Sequence, residues 1–238
     1  MLYFSWKIIK IKFDVKGIVS VIRMSLNEFL NEIRENLLKK DAIRQEIQSL
    51  ARKTIRMAKQ AIFLVHRDMI DSAESILKEA SIDVNKLVEL SKTYPEICVG
   101  LIETPLQEYA EAKVFLNLIK NGTFISPGVV GVPGESYVLG LADVIGELRR
   151  RALDLIRKDR VKDAEECLNL METIYNELIG CDDLQALMPG LRRKCDIARR
   201  IIETTRGDIT MEIRREMLNN SIRDLQKALG SMMEHARG

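Results

Sequence analysis

The stretch Ser25-Leu-Asn-Glu-Phe-Leu-Asn-Glu-Ile-Arg-Glu-Asn-Leu37 decides the fold class. Leu26, Phe29, Leu30, Ile33 and Leu37 recur every three or four residues, the period of an amphipathic helix. The same period continues through Ile43, Ile47, Leu50, Ile55, Ala58, Ile62 and Val65. Residues 25–80 hold no Pro and no Gly, so one or two very long helices are expected there. Ser81 and Asp83 offer caps for another helix, and Pro95 is placed to open the next, which runs from Ile97 to Lys120 and stops at Asn121-Gly122. Residues 121–134, with four Gly and two Pro, read as a loop. Further helices are expected over Glu135 to about Lys158 and Val161 to Leu178, the latter stopped by Gly180. Another starts at Pro189, and Gly207-Asp208 should break it from a last helix ending near His235. The expected architecture is all-α, about seven helices in one domain.

Ser25-x-x-Glu28 has the form of a capping box, so the body is expected to begin near Met24 and to occupy 24–238. Residues 1–23 differ from it. They carry Lys7, Lys10, Lys12, Lys16 and Arg23 against Asp14 alone, with the single Trp6 and four of the 12 aromatic residues. Lys10–Lys16 alternates polar and apolar like a strand, with no later run to pair with. Its lysines interrupt the apolar core of a secretory signal and exclude a span. The segment reads as an N-terminal appendage, consistent with a start codon assigned too early; an edge strand or a membrane-surface tether is the alternative.

Of 238 residues, 37 are Lys or Arg and 35 Asp or Glu, a net charge of +2. The appendage supplies more than this, so the body is slightly acidic. With 46% apolar residues the chain is too hydrophobic to be disordered. Two His leave little for a His-rich metal site, and any chemistry is expected to rest on carboxylates. Cys98, Cys167, Cys181 and Cys195 form no C-x-x-C pair. They suit a reducing, cytoplasmic setting as small buried hydrophobes.

Most acid pairs at helical spacing, such as Glu28/Glu32/Glu35, Asp68/Asp71 and Asp163/Glu166, read as solvated faces. Two pairs differ in their surroundings. Asp143 and Glu147 lie in Tyr137-Val-Leu-Gly-Leu-Ala-Asp-Val-Ile-Gly-Glu-Leu148, otherwise free of charge. They fall about 40° apart on a helical wheel, with Gly140 on the same stripe and Gly146 near it. Glycine weakens a helix interior, so another helix or a ligand is expected to come close there. Glu108 and Glu111 share a face with Ala112, Phe115 and Leu118, which should point inward. Buried acids need partners. Salt bridges to Arg67, Lys113 or Arg149 would serve. So would a hard cation, Mg²⁺ or Mn²⁺, held by oxygen alone. One or two such ions would activate water for attack on a phosphodiester. A ferritin-like di-iron site needs Glu-x-x-His, whereas His66 and His235 follow Phe63 and Met232 by three residues.

Three segments together resemble the translin/TRAX family, specifically its TRAX-like, archaeal-type members. They are Ala61-Ile-Phe-Leu-Val-His-Arg67, Leu106-Gln-Glu-Tyr-Ala-Glu-Ala112 and Tyr137-x-Leu139-Gly140-x-Ala142-Asp143-x-x-Gly146-Glu147-Leu148-x-Arg150. The resemblance spans roughly residues 26–235. It implies an all-α fold of about seven helices that assembles into a hollow homo-octamer and binds single-stranded RNA or DNA. It also implies Mg²⁺-dependent endoribonuclease activity, with the acidic site at Glu108, Glu111, Asp143 and Glu147. Translin-type subunits lack the complete set. The loop between the two acidic helices is short here and longer in eukaryotic TRAX.

Nucleic acid needs a locally basic surface. Arg149, Arg150, Arg151, Arg157, Lys158, Arg160 and Lys162 follow the acidic helix directly. Arg192, Arg193, Lys194, Arg199, Arg200, Arg214 and Arg215 form a second run. Both also read as solvated helix faces. With few aromatics for stacking, weak sequence preference is expected. Two other functions fit the residues. One is a non-catalytic nucleic-acid-binding oligomer whose acids are structural. The other is a MazG-like nucleotide pyrophosphohydrolase, although its second motif would be E-x-x-D and this chain has D-x-x-x-E.

Overall fold

The structure is a computed structural model that describes residues 15–235, with side chains from Leu26 onward except at Asp182 and at a few positions near the end of the chain. The expected strand-like run at 10–16 lies almost wholly outside the described residues, as does most of the appendage. The chain divides into two compact units, residues 1–46 and 47–238. The described residues are all-α, with no strand.

Six long helices carry the fold: α1 (Val15–His66), α2 (Ile70–Thr93), α4 (Glu103–Asn121), α6 (Gly134–Ile156), α7 (Val161–Ile179) and α9 (Leu191–His235). Three short ones, α3 (Pro95–Cys98), α5 (Pro127–Val130) and α8 (Asp182–Leu187), turn the chain between them. In the first unit α1 leaves Leu26, Phe29, Leu30, Ile33 and Leu37 more than half exposed. In the second, α6 packs against α4, α7 and α9, while α7 meets α9 and α2 meets α4. Ile47 and Val65 of α1, Leu77 and Leu87 of α2, Phe115 of α4, Leu148 of α6 and Met171 of α7 fill the core. Tyr137 Oη donates to the Ile125 carbonyl at 2.6 Å and ties the Gly/Pro-rich segment to α6.

Several helix ends differ from expectation. Ser25 lies inside α1, which begins at Val15, so Ser25-x-x-Glu28 starts no helix. Ser81 and Asp83 lie inside α2. The Ser81 hydroxyl donates to the Lys78 carbonyl, and Asp83 is buried 3.0 Å from Lys53 Nζ. Gly100, at φ +76°, separates α3 from α4, where one helix was expected. Gly207 interrupts nothing, since α9 passes through it.

The ends of α1 and α6 share one device. Asp68 and Asp159 adopt φ of +60° and +56°. Met69 N–H donates to the Leu64 carbonyl and Asp68 N–H to that of Val65; Arg160 and Asp159 repeat the pattern on Leu155 and Ile156. These are Schellman closures, with aspartate where glycine is usual.

Candidate functional site

The site starts from a missing side chain. A Cβ on Gly140 would meet the Gln107 carbonyl oxygen at 2.7 Å, Ala110 Cβ at 2.9 Å and Glu111 N at 2.9 Å. Only glycine lets α6 seat directly on the turn of α4 that carries Glu108 and Glu111. Asp143 and Glu147 follow Gly140 on the same stripe and so face that turn. Gly146, also expected at a close approach, shows none: a Cβ there would meet no atom within 4 Å, and the residue lines a cavity of about 160 Å³ with Asp143, Lys194, Ile145, Ile197 and Ile201.

Glu111 is the buried centre, 8% exposed. Burial, then the charges of Asp143, Glu147 and Glu108, push its carboxyl up to about 8, while Lys194 opposes them. The four acids singled out by their surroundings are thus one electrostatic group. The other three each have a cationic neighbour or a donor. Asp143 accepts from Gln107 Nε2 at 2.5 Å and is ion-paired with Lys194. Glu147 Oε2 lies 2.6 Å from His66 Nε2 and 3.9 Å from an Arg150 guanidinium nitrogen. Glu108 Oε1 lies 3.6 Å from Lys59 Nζ.

These partners replace the ones expected. Arg67 stacks its guanidinium over the Phe63 ring at 5.3 Å, and Arg149 donates to Thr205 Oγ1 at 2.7 Å on α9. Lys59 and Gln107 were missed, and neither stands out locally. Lys194 was visible only as one member of a basic run, and His66 as part of a motif segment with no role attached.

Among the described residues, no three His, Cys, Asp or Glu side chains already form a tight metal-binding group. The donor set nevertheless fits a hard divalent ion. It is all carboxylate, and its buried member is kept protonated at neutral pH first by burial and then by the negative charge of its neighbours, which a cation would relieve.

The basic residues divide. Arg151 is buried, donating to the Val65 carbonyl at 3.2 Å and to Asp68 at 2.5 Å. With Arg149 it braces the fold, because both guanidinium groups are taken up by other elements. Asp68, read as part of a solvated face, is therefore a structural partner. Arg150, Arg157, Lys158, Arg192, Arg193, Arg199 and Arg200 are exposed. Cys98, Cys167 and Cys195 are free and buried as expected, whereas Cys181 is exposed. Among the described residues no helix is long and apolar enough to cross a membrane.

Residues 42–204 match the Translin family. The chain is 36% identical over 216 residues to an uncharacterized protein of Methanocaldococcus jannaschii, covering 90% of this chain and 95% of that protein. Among solved structures it matches the AfC3PO–duplex RNA complex with a TM-score of 0.72 and 33% identity, over 79% of this chain and 98% of that one. AfC3PO without RNA gives the same values. Apo-NeC3PO matches with a TM-score of 0.70 and 25% identity, over 77% and 96%.

Proposed function

The chain belongs to the translin family, and from that premise we propose that it is a TRAX-like, Mg²⁺- or Mn²⁺-dependent endoribonuclease that works as a homo-oligomer. The carrying observation is the Glu111 carboxyl, raised first by its burial and then by Asp143, Glu147 and Glu108 around it. Glu108, Glu111, Asp143 and Glu147 would hold the ion. When bound, the ion supplies a Lewis acid for the phosphodiester and activates water for attack. Glu111 holds a proton in the metal-free protein and would have to give it up to serve as a ligand. Gln107 holds Asp143, and the Lys194 ammonium beside it is available to a phosphate oxygen. Arg150, Arg157, Lys158, Arg192, Arg193, Arg199 and Arg200 give phosphate a basic approach.

The likeness to AfC3PO bound to duplex RNA supports RNA as the ligand class. A preference for single strands rests on the family resemblance and is tested by offering both forms. Self-association is supported by α9, where Leu218, Ile222, Leu225, Leu229 and Met232 alternate steps of four and three and are 45–70% exposed. That is a heptad seam, complementary to a second copy of itself. An octamer is the expected state, read by light scattering. The four free cysteines support a cytoplasmic protein.

Labelled single-stranded and duplex RNA are incubated with pure protein and Mg²⁺ or Mn²⁺. Glu111→Gln or Asp143→Asn should abolish cleavage and spare folding and RNA binding. Unchanged cleavage by either variant rules out this site. One observation favours a non-catalytic reading: Lys59 and Lys194 are ion-paired with Glu108 and Asp143, and the His66 ring lies against Glu147, so three of the acids already have protein partners. RNA binding with no metal-dependent cleavage would establish it, and nucleotide turnover without RNA cleavage would point to pyrophosphohydrolysis.

A further inference from the structure

His66 is the last residue of α1. Its side chain is 3% exposed, and its Nε2 lies 2.6 Å from Glu147 Oε2, 81 residues away on α6. A carboxylate can only accept, so Nε2 is the donor. The ring of Phe115 lies against the imidazole, centroids 5.1 Å apart and planes at 41°. Packing therefore sets the ring's orientation, and the orientation aims Nε2 at Glu147.

The imidazole is not what docks α1 on α6. Arg151, one helical turn beyond Glu147, already donates to the Val65 carbonyl and to Asp68 at the closure of α1. Nor is the ring well suited to packing alone. Among the described residues its Nδ1 is buried without a hydrogen-bond partner, a cost that an apolar side chain of similar shape would avoid. What the position gains from histidine is the Nε2–H.

We infer that His66 is a positioning residue for the acidic cluster: it fixes one oxygen of Glu147 and so holds that carboxylate ready for a divalent ion. The inference rests on the proposed metal site and adds a residue from a third helix to it. A carboxylate that rotates freely must be ordered when the ion binds; one already held by a donor avoids that loss. Removing such an outer partner typically weakens metal binding ten- to a hundredfold.

The test is Mn²⁺ binding by calorimetry, with no substrate present. His66→Phe keeps an aromatic ring beside Phe115 and loses the donor, so the dissociation constant should rise ten- to a hundredfold. His66→Gln keeps an N–H at comparable reach and should stay within about threefold of wild type. His66→Asn, too short for Glu147, should bind like His66→Phe and decides the matter if the Phe variant does not fold. In a Glu147→Gln background, His66→Phe should weaken binding no further, because the two act through one contact. Wild-type affinity in His66→Phe, equal loss in His66→Gln, or an additive loss in the double variant would each overturn the assignment while leaving the metal site standing. A wild-type protein that binds no Mn²⁺ would overturn both.

Discussion

Glu111→Gln should make the metal-free protein more stable at alkaline pH. In the folded protein the carboxyl keeps its proton up to about pH 8, against 4.5 for an ordinary glutamate. Between those values the folded state holds one more proton than the unfolded chain. The associated stability is therefore full below about pH 4.5, falls as pH rises, and is gone above about pH 8. The gap corresponds to about 5 kcal/mol. Water at the partly exposed neighbours screens part of the repulsion, so about 2–5 kcal/mol is expected. Glutamine has the same shape and no charge, and it escapes the loss. Urea unfolding is followed by circular dichroism from pH 5 to 9, at one protein concentration and with chelator present. At pH 5 the two proteins should unfold together. At pH 9 the variant should lead by about 1–2 M urea, given a slope of about 2–3 kcal/mol per molar. Parallel profiles across the range would refute the account of Glu111 as a buried acid opposed by its neighbours.

Other substitutions test separate parts of the structure. Gly140→Ala forces α4 and α6 apart and should cost about 1–3 kcal/mol in urea unfolding; a neutral result would mean that the helices do not cross there. Lys194→Met removes the cation that opposes the rise in Glu111, so the alkaline loss of stability should run on to higher pH and grow larger, and an unmoved profile would count against the Lys194–Asp143 pair. Ile222→Arg with Leu225→Arg should shift light scattering toward smaller species, whereas an unchanged mass would show that the α9 seam is not an interface.

The helical class was legible because apolar periodicity is a local signal and α1, α6 and α7 carry it without interruption. So were the four acids, because charge inside an otherwise apolar stripe is visible without coordinates. Helix ends were harder. Asp68 and Asp159 perform the left-handed turn usually given to glycine, while Gly207 sits inside a helix that tertiary contacts hold intact. Gly140 and Gly146 look alike in sequence, yet one marks a helix crossing and the other faces a cavity. The partners of the acids were least legible. Lys194 lies 51 residues from Asp143, and His66 lies 81 from Glu147. Only packing brings such pairs together.

That scatter along the chain bears on folding kinetics. The acidic group exists only after α4 and α6 have met, so its repulsion cannot hinder the formation of the separate helices. It burdens the closed state far more than a transition state in which α6 is not yet seated. A strain of that kind shows itself on the unfolding limb, with escape from the closed state quickening at high pH while folding keeps its pace. The buried carboxylate thus governs how long the metal-free protein stays closed more than how fast it forms.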